Sequence, residues 1–286
     1  GDPTNAVLCL QRDINFGLGG THTSDPNSRI FYTLIDLAGT AGGNGAGSST
    51  PMVELTGADP NGEADRERPS INRQGSTYTN SSFLVAWQTL WTNPPCPGPF
   101  CLDDWDVEGK RLDAAGGILT GTWISANSYT NSWHKMGPQV DGYGDEYVIG
   151  YSMIANPTAL PLSSPVPAGS RIACESYDWW TQPGVIGMPQ VVHEVPSGER
   201  LTLTGISYDS GSRSHAVLVY HDNQAQEVYA TKVGYRNRVV ESLTAYSQPG
   251  NQVYAGGAVF DRDGALSYPA RHAFVFGVTN GSTQPV

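Results

Sequence analysis

Three acidic stretches of the chain carry residue types that bind a hard cation. They are Asp103, Asp104 and Asp106; Asp141, Asp145 and Glu146; and Asp261 and Asp263 within Asp261-Arg262-Asp263-Gly264. Calcium takes about six to eight oxygen ligands, and acidic residues alternating ahead of a glycine can wrap it. None of the three completes the full loop with its closing glutamate. Asp and Gly also favour hairpin turns for backbone reasons alone. The stretches therefore read as turns first and as candidate Ca2+ sites second. Carboxylates roughly 5–9 Å apart can cleave a glycosidic bond. With Asp+Glu 27, some pair is always close, and sequence spacing selects none. The histidines are His22, His134, His193, His215, His221 and His272. None shows the spacing of a helical zinc site, and no Gly-x-Ser-x-Gly elbow marks a nucleophilic serine. No catalytic residue is assigned. The best binding clue is aromatic: Trp91 just after an expected strand, and Trp105, Trp133, Trp179 and Trp180 in or beside expected loops. Such rings stack on sugars or anchor protein partners. They also pin long loops to a sheet.

The four cysteines are Cys9, Cys96, Cys101 and Cys174. Cys96 and Cys101 bracket Pro97-Gly98-Pro99-Phe100, a segment bent enough to bring their Cα atoms to about 5.5 Å, as a disulfide needs. A Cys96–Cys101 bridge is expected. Cys9–Cys174 follows only if folding brings the two together; otherwise they are buried thiols. A zinc site would need a second close pair or nearby His.

Lys+Arg 16 against Asp+Glu 27 gives a net charge of −11, and only three residues are lysine. An acidic chain without a basic cluster repels phosphate backbones, so nucleic acid is not an expected partner. No run of about 18 apolar residues exists, so no helical membrane span is expected. Gly 34 and Pro 20 disfavour a helix bundle. The disulfide loop, the low pI and the scarcity of lysine favour an oxidising, secreted or cell-surface location, with any leader already removed.

Elements able to position these residues recur along the chain. Short apolar runs stand at Ala6–Leu10, Phe83–Trp87, Tyr147–Tyr151, Ala216–Tyr220 and Ala273–Phe276. Such runs are too short for helices and fit strands buried on both faces. A more alternating strand follows at 29–36, 106–113, 171–178 and 227–234, which reads as half exposed. Three of these end in Asp, suited to opening a turn. Edge strands follow at 52–55, 118–124 and 239–243. Short Pro-led segments at 69–71, 138–140 and 189–191 precede the next buried run, with Pro expected at a strand's first residue. The unit is thus four antiparallel strands over roughly 55–75 residues, longer than the usual propeller blade. One buried strand beside more exposed ones suits radial packing.

The stretch Pro69-Ser70-Ile71 … Phe83-Leu84-Val85-Ala86-Trp87 … Asp106-Val107-Glu108-Gly109-Lys110-Arg111-Leu112-Asp113-Ala114-Ala115-Gly116 resembles a repeat of secreted bacterial β-propeller-like proteins. The second unit has Tyr151 where that repeat has Trp, and the third lacks the Asp-x-x-Gly turn. The resemblance implies an extracellular propeller-like module and no particular reaction. Ser207-Tyr208-Asp209-Ser210-Gly211 is similar to the core of the Asp-box hairpin of sialidase-like propellers, itself a structural turn, with Arg213-Ser214 in place of its usual ending.

The expected fold is all-β: a single propeller-like domain over residues 1–286, of four or five blades. Its repeats are expected near 1–57, 69–125, 138–188, 189–245 and 249–286. The termini together supply about five strands where one blade needs four. The surplus strand could pair with another copy, giving a homo-oligomer or filament. The expected function is a secreted, non-catalytic binding or surface-assembly module for carbohydrate or protein. The alternative is a glycan-active propeller enzyme, glycosidase- or sialidase-like, using paired carboxylates. No cofactor other than Ca2+ is expected.

Overall fold

The computed structural model describes residues 5–13, 28–36, 48–56, 64–72, 82–91, 104–113, 115–119, 124–125, 133–143, 146–155, 169–178, 189–196, 199–209, 215–234, 239–247, 251–261 and 271–280. These residues form an all-β structure of antiparallel sheets. The first sheet holds β1 (Asn5–Asp13), β2 (Ser28–Asp36), β3 (Ser48–Ser49) and β4 (Val53–Glu54). The second runs β5 (Ala64–Ile71), β6 (Ser82–Trp91), β7 (Asp104–Asp113) and β8 (Ile124–Ser125). The third is β9 (Trp133–Tyr143), β10 (Glu146–Ala155), β11 (Ser170–Asp178) and β12 (Gln190–Val195). The fourth is β13 (Leu201–Tyr208), β14 (His215–Asp222), β15 (Glu227–Gly234) and β16 (Val239–Ser247). The fifth is the hairpin β17 (Asn251–Asp261) and β18 (Arg271–Asn280). Among the described residues no helix is long and apolar enough to cross a membrane.

Consecutive sheets pack face to face. The first strand of each later sheet lies on its predecessor: β5 on β1 and β2, β9 on β6 and β7, β13 on β9 and β10, β17 on β13 and β14. The apolar runs explain this order. Side chains of a strand alternate between its two faces. Phe83, Val85 and Trp87 of β6 therefore join Ile30, Tyr32 and Leu55 of the first sheet. Leu84 and Ala86 of the same strand join Tyr147, Ile149, Tyr151 and Met153 of β10. Val148 of β10 turns the other way, into a core with Leu203, Ile206, Leu218 and Tyr220 of the fourth sheet. Gly150 is required at that seam, because a Cβ there would lie 2.8 Å from Leu203 Cδ2 and 3.2 Å from Leu218 Cδ2.

Several expectations change. Pro69 and Pro138 do not begin strands. They sit inside β5 and β9, where the ladder skips between Glu67 and Ser70 and between Gly150 and Ser152. A bulge leaves a residue out of the ladder, so the missing proline N–H breaks no bond. Gln190–Val195, expected to open the fourth repeat at 189, pairs with β11 and closes the third sheet; Leu201–Tyr208 opens the fourth. Of the expected strand 118–124, Ile118 bridges Leu112 and Ile124 begins the two-residue β8, while residues 120–123 lie outside the described residues. The third strands of the second and third sheets are not half exposed. Asp106, Glu108, Arg111 and Glu175 are all buried: Lys135 of the third sheet covers Asp106, and Glu175 lies on the face of β11 whose Ala173 and Tyr177 join the core with the second sheet. The Asp113 turn forms as expected: Asp113 Oδ1 accepts the N–H groups of Ala115 (2.8 Å) and Gly117 (2.7 Å), and Gly116 takes φ 84.

Cys9 and Cys174 are free thiols, half-buried and buried, so of the two readings the conditional bridge does not form and the thiols remain. They stand on β1 and β11, in the first and third sheets, with the second sheet packed between. Cys96 and Cys101 lie outside the described residues.

Candidate functional site

Strands β6 and β10 finish, and β7, β9 and β11 begin, at one common end of the second and third sheets. The pairings Trp91↔Asp104 and Ala155↔Trp133 establish this. Three of the five tryptophans singled out above gather there. Trp91 ends β6. Trp105, the second residue of β7, is half-buried, and its backbone N–H donates to His134 Nδ1 at 3.3 Å. With Nδ1 accepting, the imidazole proton belongs on Nε2. Trp133 lies in β9 rather than a loop and is only 5% exposed. The Arg171 guanidinium covers its ring at 4.2 Å, and Arg171 Nη2 pairs with Glu194 Oε1 at 2.7 Å. Such a cation over an indole is worth about 0.5–1 kcal/mol when partly exposed. Trp133 is thus a floor beneath a half-exposed arginine. Trp179 and Trp180 lie outside the described residues, directly after the opposite end of β11.

Below this rim runs a line of buried polar groups. Lys135 Nζ of β9 meets Asp106 Oδ1 of β7 at 2.7 Å, with the two side chains 2% and 5% exposed. Glu175 accepts hydrogen bonds from the hydroxyls of Tyr151 (2.6 Å) and Tyr177 (2.8 Å). Burial pushes the Glu175 carboxyl above its ordinary value, while the two tyrosine donors and the Lys135 charge draw it back in part. Glu108 accepts from Thr89 Oγ1 at 2.6 Å and Trp87 Nε1 at 3.2 Å, and burial again raises its carboxyl. A repeated device underlies this. The aromatic residue at the end of each buried run hands its polar tip to the neighbouring third strand. Trp87 donates to Glu108, Tyr151 donates to Glu175, and the Tyr220 hydroxyl pairs with Thr231 at 2.8 Å.

These carboxylates accept from donors inside inter-sheet cores, an arrangement that fixes their geometry. The acidic residues considered for calcium are similarly placed. Asp106 holds Lys135; Asp141 accepts the Tyr208 N–H at 2.9 Å; Glu146 accepts the Tyr208 hydroxyl at 2.7 Å. The last two tie β13 to the third sheet. Asp104 begins β7 and Asp261 ends β17, whereas Asp103, Asp145 and Asp263 lie outside the described residues. Among the described residues no three His, Cys, Asp or Glu side chains are grouped to hold a metal ion.

At the same end, one seam further on, an aromatic group joins the third and fourth sheets. Tyr220 and Tyr229 stack at 5.3 Å, and His193 of β12 stands edge-on to them at 5.6 and 4.7 Å. Burial lowers the His193 pKa, and Asp222, Glu199 and Glu227 oppose that shift. The Tyr229 hydroxyl bonds Glu227. This group was not singled out from the sequence. The one available signal was that Tyr220 and Tyr229 end one strand and begin the next across a short turn.

No family model matches the chain, and no curated protein matches it. Among solved structures it is similar to a chain from "Structural and Mechanistic Analysis of Two Prolyl Endopeptidases: Role of Inter-Domain Dynamics in Catalysis and Specificity". The identity is 10%, the TM-score 0.21, and the match covers 98% of this chain and 51% of that one. The chain therefore spans about half the length of that structure, and at this score the likeness carries no argument about fold or function.

Proposed function

We propose that the chain is a propeller-like, secreted or cell-surface binding module that holds a carbohydrate or protein ligand without catalysis, at the end of the sheets that carries Trp91, Trp105 and Trp133. One observation carries this reading. At that end the half-buried aromatic and cationic groups Trp105, His134 and Arg171 stand over carboxylates already engaged by Lys135 and two tyrosines. Aromatic rings beside a guanidinium suit apolar sugar faces and the central anchors of protein interfaces. Loops at one end of a rigid stack of sheets are the common place for binding. The sequential face-to-face order of sheets, the second to the fifth each opened by a bulged strand, supports radial packing about an axis. Five blades, two of them incomplete, fit the five sheets. The test is a glycan array together with a panel of extracellular matrix proteins, run on the chain and on Trp105→Ala. The proposal expects a ligand retained by the chain and lost at least about tenfold by the variant. Turnover of a glycosidase substrate panel would instead favour the glycan-active alternative.

A further inference from the structure

The three complete sheets share a register grammar. In each, the first strand pairs with the second through a skip: Glu67/Ser70, Gly150/Ser152 and Leu203/Gly205. In each, the second strand pairs with the third without one. The second–third pairing starts at Ser82↔Asp113, Glu146↔Asp178 and His215↔Gly234.

The terminal sheets can be placed by the same rules. β1 pairs with β2 over nine residues from Asn5↔Asp36 to Asp13↔Ser28 with no skip, so β1 is a second strand and β2 a third. β3 and β4 both pair with β2 in succession and together fill the fourth position. β17 pairs with β18 through a skip between Ala255 and Ala258, as first–second and third–fourth pairs both do, and it packs on the first two strands of the sheet before it as β13 does, so β17 is a first strand and β18 a second. The first sheet therefore lacks its first strand, and the fifth lacks its third and fourth. The chain carries two second strands, β1 and β18, for the single outer edge of β17. Among the described residues that edge is held by β18, and the open edge of β1 pairs with nothing.

We propose that the chain assembles head to tail by strand exchange: β17 of one copy takes β1 of a second copy in place of its own β18. This rests on the propeller-like reading above, and it names the partner as a second copy of this chain. The exchange is balanced in ladder hydrogen bonds, since β17 gives up one antiparallel neighbour and gains another. The gain lies in completion. β17 already lies on the fourth sheet, so β1, β2, β3 and β4 of the incoming copy are seated against that sheet and become a four-stranded sheet. β1 invites this exchange. It is a nine-residue strand without proline or bulge, whereas the first strands β5 and β9 carry Pro69 and Pro138 at bulges. Long regular edges are templates for pairing, and bulges and prolines blunt them. A heterologous contact of this kind leaves a free end on each copy and grows an open chain or a ring.

The test is sedimentation velocity on the full chain over a roughly hundredfold concentration range. The proposal expects species beyond monomer that grow with concentration. Val275→Pro, between the paired Phe274 and Phe276 of β18, fixes the backbone there and so weakens that strand, and shifts assembly to about tenfold lower concentration. Val7→Pro, which blocks β1, is monomeric, and added in small proportion to the unmodified chain it shortens the assemblies, because it can cap one end only. The double variant Val7→Pro/Val275→Pro is monomeric. An unmodified chain that stays monomeric throughout overturns the proposal, since the chain then closes on itself. So does association of the double variant, which would assign the effect of Val275→Pro to exposed apolar surface. Ligand capture by monomeric Val7→Pro is read separately, so the binding reading stands or falls independently.

Discussion

Replacing Lys135 by Met tests whether a buried ion pair holds the second and third sheets in register. Lys135 Nζ lies 2.7 Å from Asp106 Oδ1, across the seam, with both side chains almost fully buried. Methionine fills much of the lysine's volume but leaves the Asp106 carboxylate without its counter-charge in a poorly hydrated place. Removing one partner of such a pair costs about 3–5 kcal/mol. Replacing both partners by apolar groups is often near neutral, because the desolvation of two charges vanishes together with their attraction. Lys135→Met/Asp106→Leu should therefore lie within about 1 kcal/mol of the unmodified protein, about 2–4 kcal/mol more stable than Lys135→Met alone. Glu175 sharpens the test. Lys135 is one of the charges that draws its carboxyl down, so Lys135→Met raises that carboxyl further and steepens the loss of stability as pH rises. The assay is equilibrium urea denaturation at several pH values, followed by tryptophan fluorescence. A loss below about 1 kcal/mol for Lys135→Met, or additive losses in the double variant, would show that the pair does not bind the sheets together.

Further outcomes follow from other positions. Gly150→Ala should cost about 1–3 kcal/mol by denaturation, because its Cβ meets Leu203 and Leu218 at the seam, and Leu203→Ala in the same chain should relieve part of that strain. Gly116→Ala should cost about 1–3 kcal/mol, since φ 84 suits glycine and the new Cβ would lie 2.7 Å from Leu34 Cδ1; no measurable change would remove the turn from the account. Glu175 has a folded pKa above its unfolded value. Its contribution therefore favours folding below the unfolded value and is lost as pH rises through the folded one. The stability of Glu175→Gln relative to the unmodified chain should accordingly rise between about pH 4 and the raised value, and a flat difference across that window would refute the assignment. Burial raises the Cys9 and Cys174 thiols to about 12, so both should resist a maleimide or an aromatic disulfide reagent in the native protein and react on denaturation.

The strands were legible because the apolar runs are short, β-branched and evenly placed. Phe83–Trp87 and Tyr147–Tyr151 could be nothing but strands covered on both faces, and they are. The Asp113 turn was legible because Asp and Gly do the same chemistry in any hairpin. The bulges were not. Pro69 and Pro138 announce that a ladder bond is missing but not whether a strand begins there or skips a residue. The assignment of Gln190–Val195 failed for a related reason, since a proline before a strand cannot say which neighbour the strand will join. The site was only half readable. Asp106-Val107-Glu108 alternates polar and apolar as a surface strand does, and nothing local reveals that Lys135, some 29 residues on, buries one of those acids. Trp133 reads as a loop anchor by its surroundings, and only the arginine above it, contributed by β11, shows what it supports.

Three seams carry polar locks of their own: Tyr32 with the Gly116 carbonyl between the first and second sheets, Ser82 with Tyr147 between the second and third, and Ser152 with the Leu203 N–H and Asp141 with the Tyr208 N–H between the third and fourth. The apolar cores on either side of a sheet are interchangeable grease, but these locks are not, because each key is cut for one successor. A sheet transplanted to another place in the row would bury a tyrosine or a carboxylate with no mate. The order of the sheets is thereby written into these polar contacts, and a shuffled assembly is penalised.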